Sequence, residues 1–178
     1  MSFDLSKLHA HLESIPKQFE GKYAKVGWFP SAVYEDGTPV AYVAAIQEMG
    51  APGVKIPPRP FLKPSLEQNK EEIAEALKDG VDAVARGVIS ADQVLDVVGD
   101  NLAKGVGEYI QTASYQPLSD VTVMLRKWRR EGQTITGATV GRAAAAVAAG
   151  ESIAGVNADP LQDTGLLVNS ISHEVGNI

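Results

Sequence analysis

Ile46-Gln47-Glu48-Met49-Gly50 and, five residues later, Ile56-Pro57-Pro58-Arg59-Pro60-Phe61-Leu62-Lys63-Pro64 decide how this chain is read. Proline fixes its own φ and removes an amide donor, so this segment is stiff and offers few backbone hydrogen bonds. A stiff loop between two helical patterns suits docking onto a partner as well as folding. On its N-terminal side, Val43, Ile46 and Met49 recur at helical spacing from Val40, and Gly50 supplies the stop. On its C-terminal side, Ser65-Leu66-Glu67-Gln68 has the order of a capping box and predicts a long helix. Leu66, Ile73, Leu77, Val81 and Val84 would face inward there, and Glu67, Lys70, Glu71, Glu75 and Lys78 outward, until Gly87.

Working outward, Leu5, Leu8, Leu12 and Ile15 predict an amphipathic helix over 4–15, with Asp4 as its cap and Pro16 near its end. Residues 23–29 alternate, Ala24, Val26 and Trp28 against Tyr23, Lys25 and Phe29, which is the period of a strand. Asp36-Gly37 marks a turn. Ser90-Ala91-Asp92-Gln93 repeats the capping-box order and opens a helix carried by Val94, Val98, Leu102, Val106 and Tyr109. Glycines 99, 105 and 107 each cost that helix about 1 kcal/mol relative to alanine, which points to close contact or to a break. Asp120 is read as the cap of a helix with Val121, Leu125 and Trp128 on one face. Residues 132–159 are rich in Gly, Ala, Thr and Ser and read as a long insertion, mobile or holding one Ala-rich turn near 142–149. Asp163 is read as the cap of a short helix through Leu166 and Leu167, and Ile171, His173 and Val175 alternate as a final strand.

These elements predict an α+β fold, a small and mainly antiparallel sheet against several helices, in a single domain over 1–178 with a flexible Gly/Ala-rich insertion at 132–159. The length of 178 residues is enough for one domain with its own core. A formal charge of −6 argues against a dedicated nucleic-acid binder, since phosphate contacts need an excess of Lys and Arg. The absence of cysteine excludes disulfides, thiolate nucleophiles and cysteine-ligated metals. No signal-peptide pattern or bilayer-length apolar run is present, so neither export nor a membrane span is expected.

Candidates for chemistry are sparse. In a helix His9 and His11 point about 200° apart, with no third ligand at a useful spacing. His173 has Ser170, Ser172 and Glu174 beside it, but neighbours in a strand alternate between faces and do not converge as a triad does. Gly105-Val106-Gly107-Glu108-Tyr109-Ile110 lacks the third glycine of a dinucleotide loop and no strand precedes it. Glu71, Glu72, Glu75, Asp79 and Asp82 have the spacing of a solvated helix face. Pro57-x-x-Pro60 matches a polyproline ligand only formally. Arg126-Lys127-Trp128-Arg129-Arg130 is the one basic run, open to three readings: a solvated helix flank with Trp128 in the core, a protein interface, or a contact to passing DNA. No catalytic, cofactor or metal-binding residue is expected.

Four motifs in order carry a resemblance: Ala44-Ala45-Ile46-Gln47-Glu48-Met49-Gly50; Ile56 through Leu62; Pro117-Leu118 with Thr122 and Arg126; and Pro160-Leu161-Gln162-Asp163-Thr164-Gly165-Leu166-Leu167-Val168-Asn169-Ser170-Ile171. In this the chain resembles the tail-completion and virion-morphogenesis proteins of tailed bacteriophages and prophages, tail terminators among them. The resemblance implies a non-catalytic α+β subunit that assembles with itself as a ring, commonly hexameric, where the tail meets the capsid connector. It implies the tail tube and neck or connector proteins as partners, no membrane, and no nucleic acid other than passing DNA. It also implies a place in the virion after assembly in the host cytoplasm. The interface residues it suggests are Glu48, Pro57, Pro58, Arg59, Pro60, Phe61, Arg126, Lys127, Arg129 and Arg130, with Arg59 and Phe61 as anchors of the kind interfaces favour. Beside this stands a structural reading, in which Phe61 and Leu62 fold back to staple the next helix to the sheet, and the two are compatible. The competing functions are a minor tail or head-closure component, and a DNA-contacting neck or packaging factor.

Overall fold

One unbroken helix, α5 (Ala91–Thr112), is the axis on which the rest is built. The computed structural model describes residues 5–54 and 56–178, apart from the side chain of Leu8. Asp4, read as a cap, lies outside the described residues. The other elements are α1 (Leu5–Phe19), β1 (Lys22–Gly27), α2 (Val40–Met49), α3 (Leu62–Gln68), α4 (Lys70–Ala85), α6 (Asp120–Arg130), α7 (Gly137–Ala148), α8 (Leu166–Asn169) and β2 (Ser172–Asn177). Among the described residues the fold is therefore α+β, eight α-helices with a small antiparallel sheet.

The two strands come from opposite ends of the chain and pair antiparallel, Ala24 opposite Val175 and Val26 opposite His173. Both strands pack on α5. The α5 glycines admit these and other close neighbours. A Cβ at Gly99 would lie 2.7 Å from Cδ2 of His173 on β2, and one at Gly105 would lie 2.7 Å from Nδ2 of Asn69. Gly107 faces Val168 and Ile171. Of the two sequence readings, close contact holds and a break does not. The Ser90 capping box forms as expected, Gln93 N–H donating to Ser90 Oγ at 3.3 Å and Ser90 N–H to Gln93 Oε1 at 2.8 Å.

Four local expectations need correction. Ser65 does not open a helix: it is fully buried inside α3, and Asn69 donates its amide back to Ser65 O (2.9 Å) and Oγ (3.3 Å) at the junction with α4. Side-chain bonds of this kind compete with the helical ladder, in keeping with the interruption at Asn69. The cap of α6 is Ser119, which accepts from Thr122 N–H, and Asp120 stands in the first turn. Asp163 does not cap α8, whose N-cap is Gly165 at φ 72°. Within 132–159 the chain builds α7, a 12-residue helix, where one turn was expected. Thr136 and Thr139 form its capping box.

Among the described residues, buried apolar side chains gather in three clusters. The largest joins Val40, Ala44, Phe61, Val106, Ile110, Leu161 and Leu167, with Trp28 against them. A second gathers Ile15, Val84, Val94 and Val98 between α1, α4 and α5. The third, Met124, Trp128 and Ala143 with their neighbours, lies within the α6–α7 hairpin.

Candidate functional site: a proline clasp beside an arginine cluster

Gly50, at φ 74°, turns the chain at the end of α2, and a side chain there would meet Pro58 N at 2.8 Å. Ala51 and Ile56 then exchange backbone hydrogen bonds of 2.9 and 3.1 Å, which bring the proline segment back alongside α2. There it is clasped. Arg59 N–H donates to Gln47 O at 2.7 Å, and Arg59 Nη1 donates to Gln47 Oε1 at 2.9 Å. The Glu48 carboxylate accepts from three successive amides, Phe61 (2.7 Å), Leu62 (3.0 Å) and Lys63 (3.5 Å). Those are the orphan donors at the start of α3, where a negative charge also complements the helix dipole. Glu48 is thus the cap of α3, supplied by a different helix.

The clasp sets what the loop shows to solvent. Phe61 is fully buried, edge-on to Trp28 with ring centroids 5.5 Å apart, and the Trp28 indole donates to Leu167 O at 2.7 Å. Arg59 is also buried, and burial pushes its guanidinium below its ordinary pKa. Phe61 thus folds back into the core between α2 and α5, as the staple reading expects. Glu48 and Pro57 are half-buried, while Pro58 and Pro60 are exposed. The large apolar side chains that face solvent here are ones the sequence reading did not choose: Tyr42 and Met49 on α2, and Val54 in the turn that follows. Tyr42 and Met49 are seven apart and share one helix face, which was the available signal.

The basic run lies next to this clasp. Burial lowers the pKa of Arg126, Asp163 pulls it back up, and the charges of Arg130, Arg129 and Arg59 lower it further. Arg126 is buried and donates through Nη1 to Asn157 O and Asp159 O, each at 2.9 Å. Asp163 holds three guanidiniums at once: Arg129 Nη1 at 3.1 Å, with Arg126 Nε and Arg130 Nη2 each at 3.6 Å. Lys127 reaches Glu151 Oε1 and Ser152 O, each at 3.1 Å. Trp128 is in the core of the hairpin, with the Arg142 guanidinium 5.2 Å from its ring centre. The run is accordingly an internal clamp on 151–163, with Arg129 and Arg130 about half exposed. Tyr34 stands at its edge, its pKa raised by burial and then by Asp163.

The remaining candidates do not converge. His9 bonds Glu13 at 3.1 Å, while His11 Nε2 meets Ala85 O at 2.6 Å. His173 meets Asp96 at 2.9 Å, whereas the Ser170 hydroxyl donates to Leu166 O. Gly105 and Gly107 are interior residues of α5. The carboxylates from Glu71 to Asp82 are exposed. Among the described residues no three His, Asp or Glu side chains gather as a metal site, and no helix is long and apolar enough to cross a membrane. A groove of about 130 Å³ between β1, α3 and α5 is lined by apolar side chains alone, Ala24, Val26, Leu62, Leu66, Leu102 and Val106. Comparison with known proteins finds no matching family model, curated protein or solved structure.

Proposed function

We propose that this chain is a structural subunit of a tailed phage or prophage that forms a ring with copies of itself and completes the tail for joining to the head. The observation that carries this reading is the clasp: the two motifs on which the resemblance rests most heavily, 44–50 and 56–62, are the two sides of one rigid substructure. A loop so held loses little entropy on docking, because its shape is set before the partner arrives. The contact surface it offers is Pro58 and Pro60 with Tyr42, Met49 and Val54, while Arg59 and Phe61 set its shape from inside. Tail tube and neck proteins are its partners in this reading.

Light scattering on the purified protein, with and without its tail-tube protein, tests it. A ring-sized species, alone or with the tube, is expected, and Tyr42→Glu with Met49→Glu should abolish it while leaving the helical content unchanged. A monomer that ignores the tube would overturn the reading. A DNA-contacting neck factor is favoured by one observation, the half exposure of Arg129 and Arg130. It predicts duplex binding with a steep salt slope that charge reversal at both residues flattens.

A further inference from the structure

We propose that the α6–α7 hairpin is a hinged lobe and that Asp163 is its latch. Met124, Trp128 and Ala143 at the centre of the hairpin, with Leu125, Val147 and Ile153 around them, pack on one another and belong to neither of the other clusters, while Val123, also buried on α6, is in none of the three. Swinging the lobe away therefore leaves that cluster intact. Polar bonds join it to the body: the two from Arg126 to the carbonyls of 157 and 159, and the three guanidiniums on Asp163.

Asp163 itself belongs to the body. Leu161, two residues before it, is buried in the main cluster at φ 66°, a left-handed conformation that a branched side chain adopts only when its surroundings hold it there. Gln162 donates to Gln111 O at 3.3 Å, and Leu167 is buried just beyond. Lys127, by contrast, ties Glu151 and Ser152 to the lobe. Between the two anchorages lies Gly155, at φ 78° with open space where a Cβ would be, and it is the hinge on that side. Residues 113–119 form the other connection. The pairs of Arg129 and Arg130, about half exposed, exchange for water at low cost, and buried Arg126 with its two carbonyl bonds sets the main cost of opening; the packed apolar cluster is not broken, so opening breaks the clamp and leaves the lobe whole. In the open state Arg126, Arg129 and Arg130 are presented together, without their shared carboxylate. The latch needs neither ring nor tail partner.

The chain has no cysteine, so nitroxide labels at Glu108→Cys on α5 and Ala138→Cys on α7 report the lobe position cleanly by dipolar electron resonance. Asp163→Asn should raise the population at longer distances at least tenfold, with the helical circular dichroism unchanged. Arg129→Gln with Arg130→Gln, or 1 M salt on the otherwise unaltered labelled chain, should act in the same direction and more weakly. A distance distribution unchanged by all three would overturn the latch. So would a shift accompanied by loss of helix, since the lobe would then be unfolding and not swinging. If Asp163→Asn fails to fold, the double arginine variant and the salt series decide alone.

Discussion

The body around α5 and the α6–α7 hairpin are held together by different physics, and glycine shows the difference best. In α5 a glycine is a place where another element touches the helix: His173 over Gly99, Asn69 against Gly105. In α7, Gly141 has nothing within 4 Å of where its Cβ would be. The body is made by close backbone approach and shared apolar clusters, so its parts cannot move separately. The hairpin has its own small core and meets the body through arginines. Close packing transmits strain from one part of the body to the next.

Phe61→Ala should break the body most severely, costing about 3–5 kcal/mol in urea unfolding, as expected for a fully buried aromatic ring. If Phe61 served a partner instead, stability would be unchanged and only assembly would suffer. Glu48→Ala should follow, at about 2 kcal/mol, since three amides at the start of α3 lose their acceptor. Glu48→Gln retains an acceptor oxygen and should cost roughly half of that. Gly99→Ala should destabilise by about 1–2 kcal/mol, because the nearest atoms include His173 Cβ at 3.0 Å, which moves only with its strand. A double mutant with His173→Ala should cost less than the sum of the singles. Gly141→Ala reverses the sign: with open space around it in a helix interior, alanine should add about 0.5–1 kcal/mol to the hairpin. Thermal melts of these variants side by side make the same substitution report opposite environments.

What was legible in the sequence follows the range of the forces involved. The Ser90 capping box, the Gly50 stop and the Asp36-Gly37 turn depend on neighbours a few residues apart, and each is present; both strands form too, but β1 stops at Gly27, before Trp28 and Phe29, and only β2 alternates in burial. Ser65 misled because the cap of α3 is Glu48, on another helix, and no local pattern encodes a donor set completed across a loop. The same holds for the basic run: Arg129 and Arg130 look solvated until Asp163 is brought to them from more than thirty residues away. Helix α7 was underestimated because its composition resembles a linker. Yet alanine is the best helix former, and Thr136 and Thr139 stand at capping-box spacing with a hydroxyl in place of the usual carboxyl or amide. At the clasp, the burial of Arg59 and Phe61 is a property of the folded loop that the motif itself does not encode.

Native-state hydrogen exchange across a denaturant series tests the contrast between the two regions most directly. Amides in the middle of α5, around Val98 to Val106, should exchange only through global unfolding, while those of α6 and α7 exchange together through a smaller opening with a lower free energy and a shallower denaturant dependence. If the α6, α7 and α5 amides instead merge into one isotherm at every denaturant concentration, body and hairpin are a single cooperative unit and the distinction drawn between them is wrong.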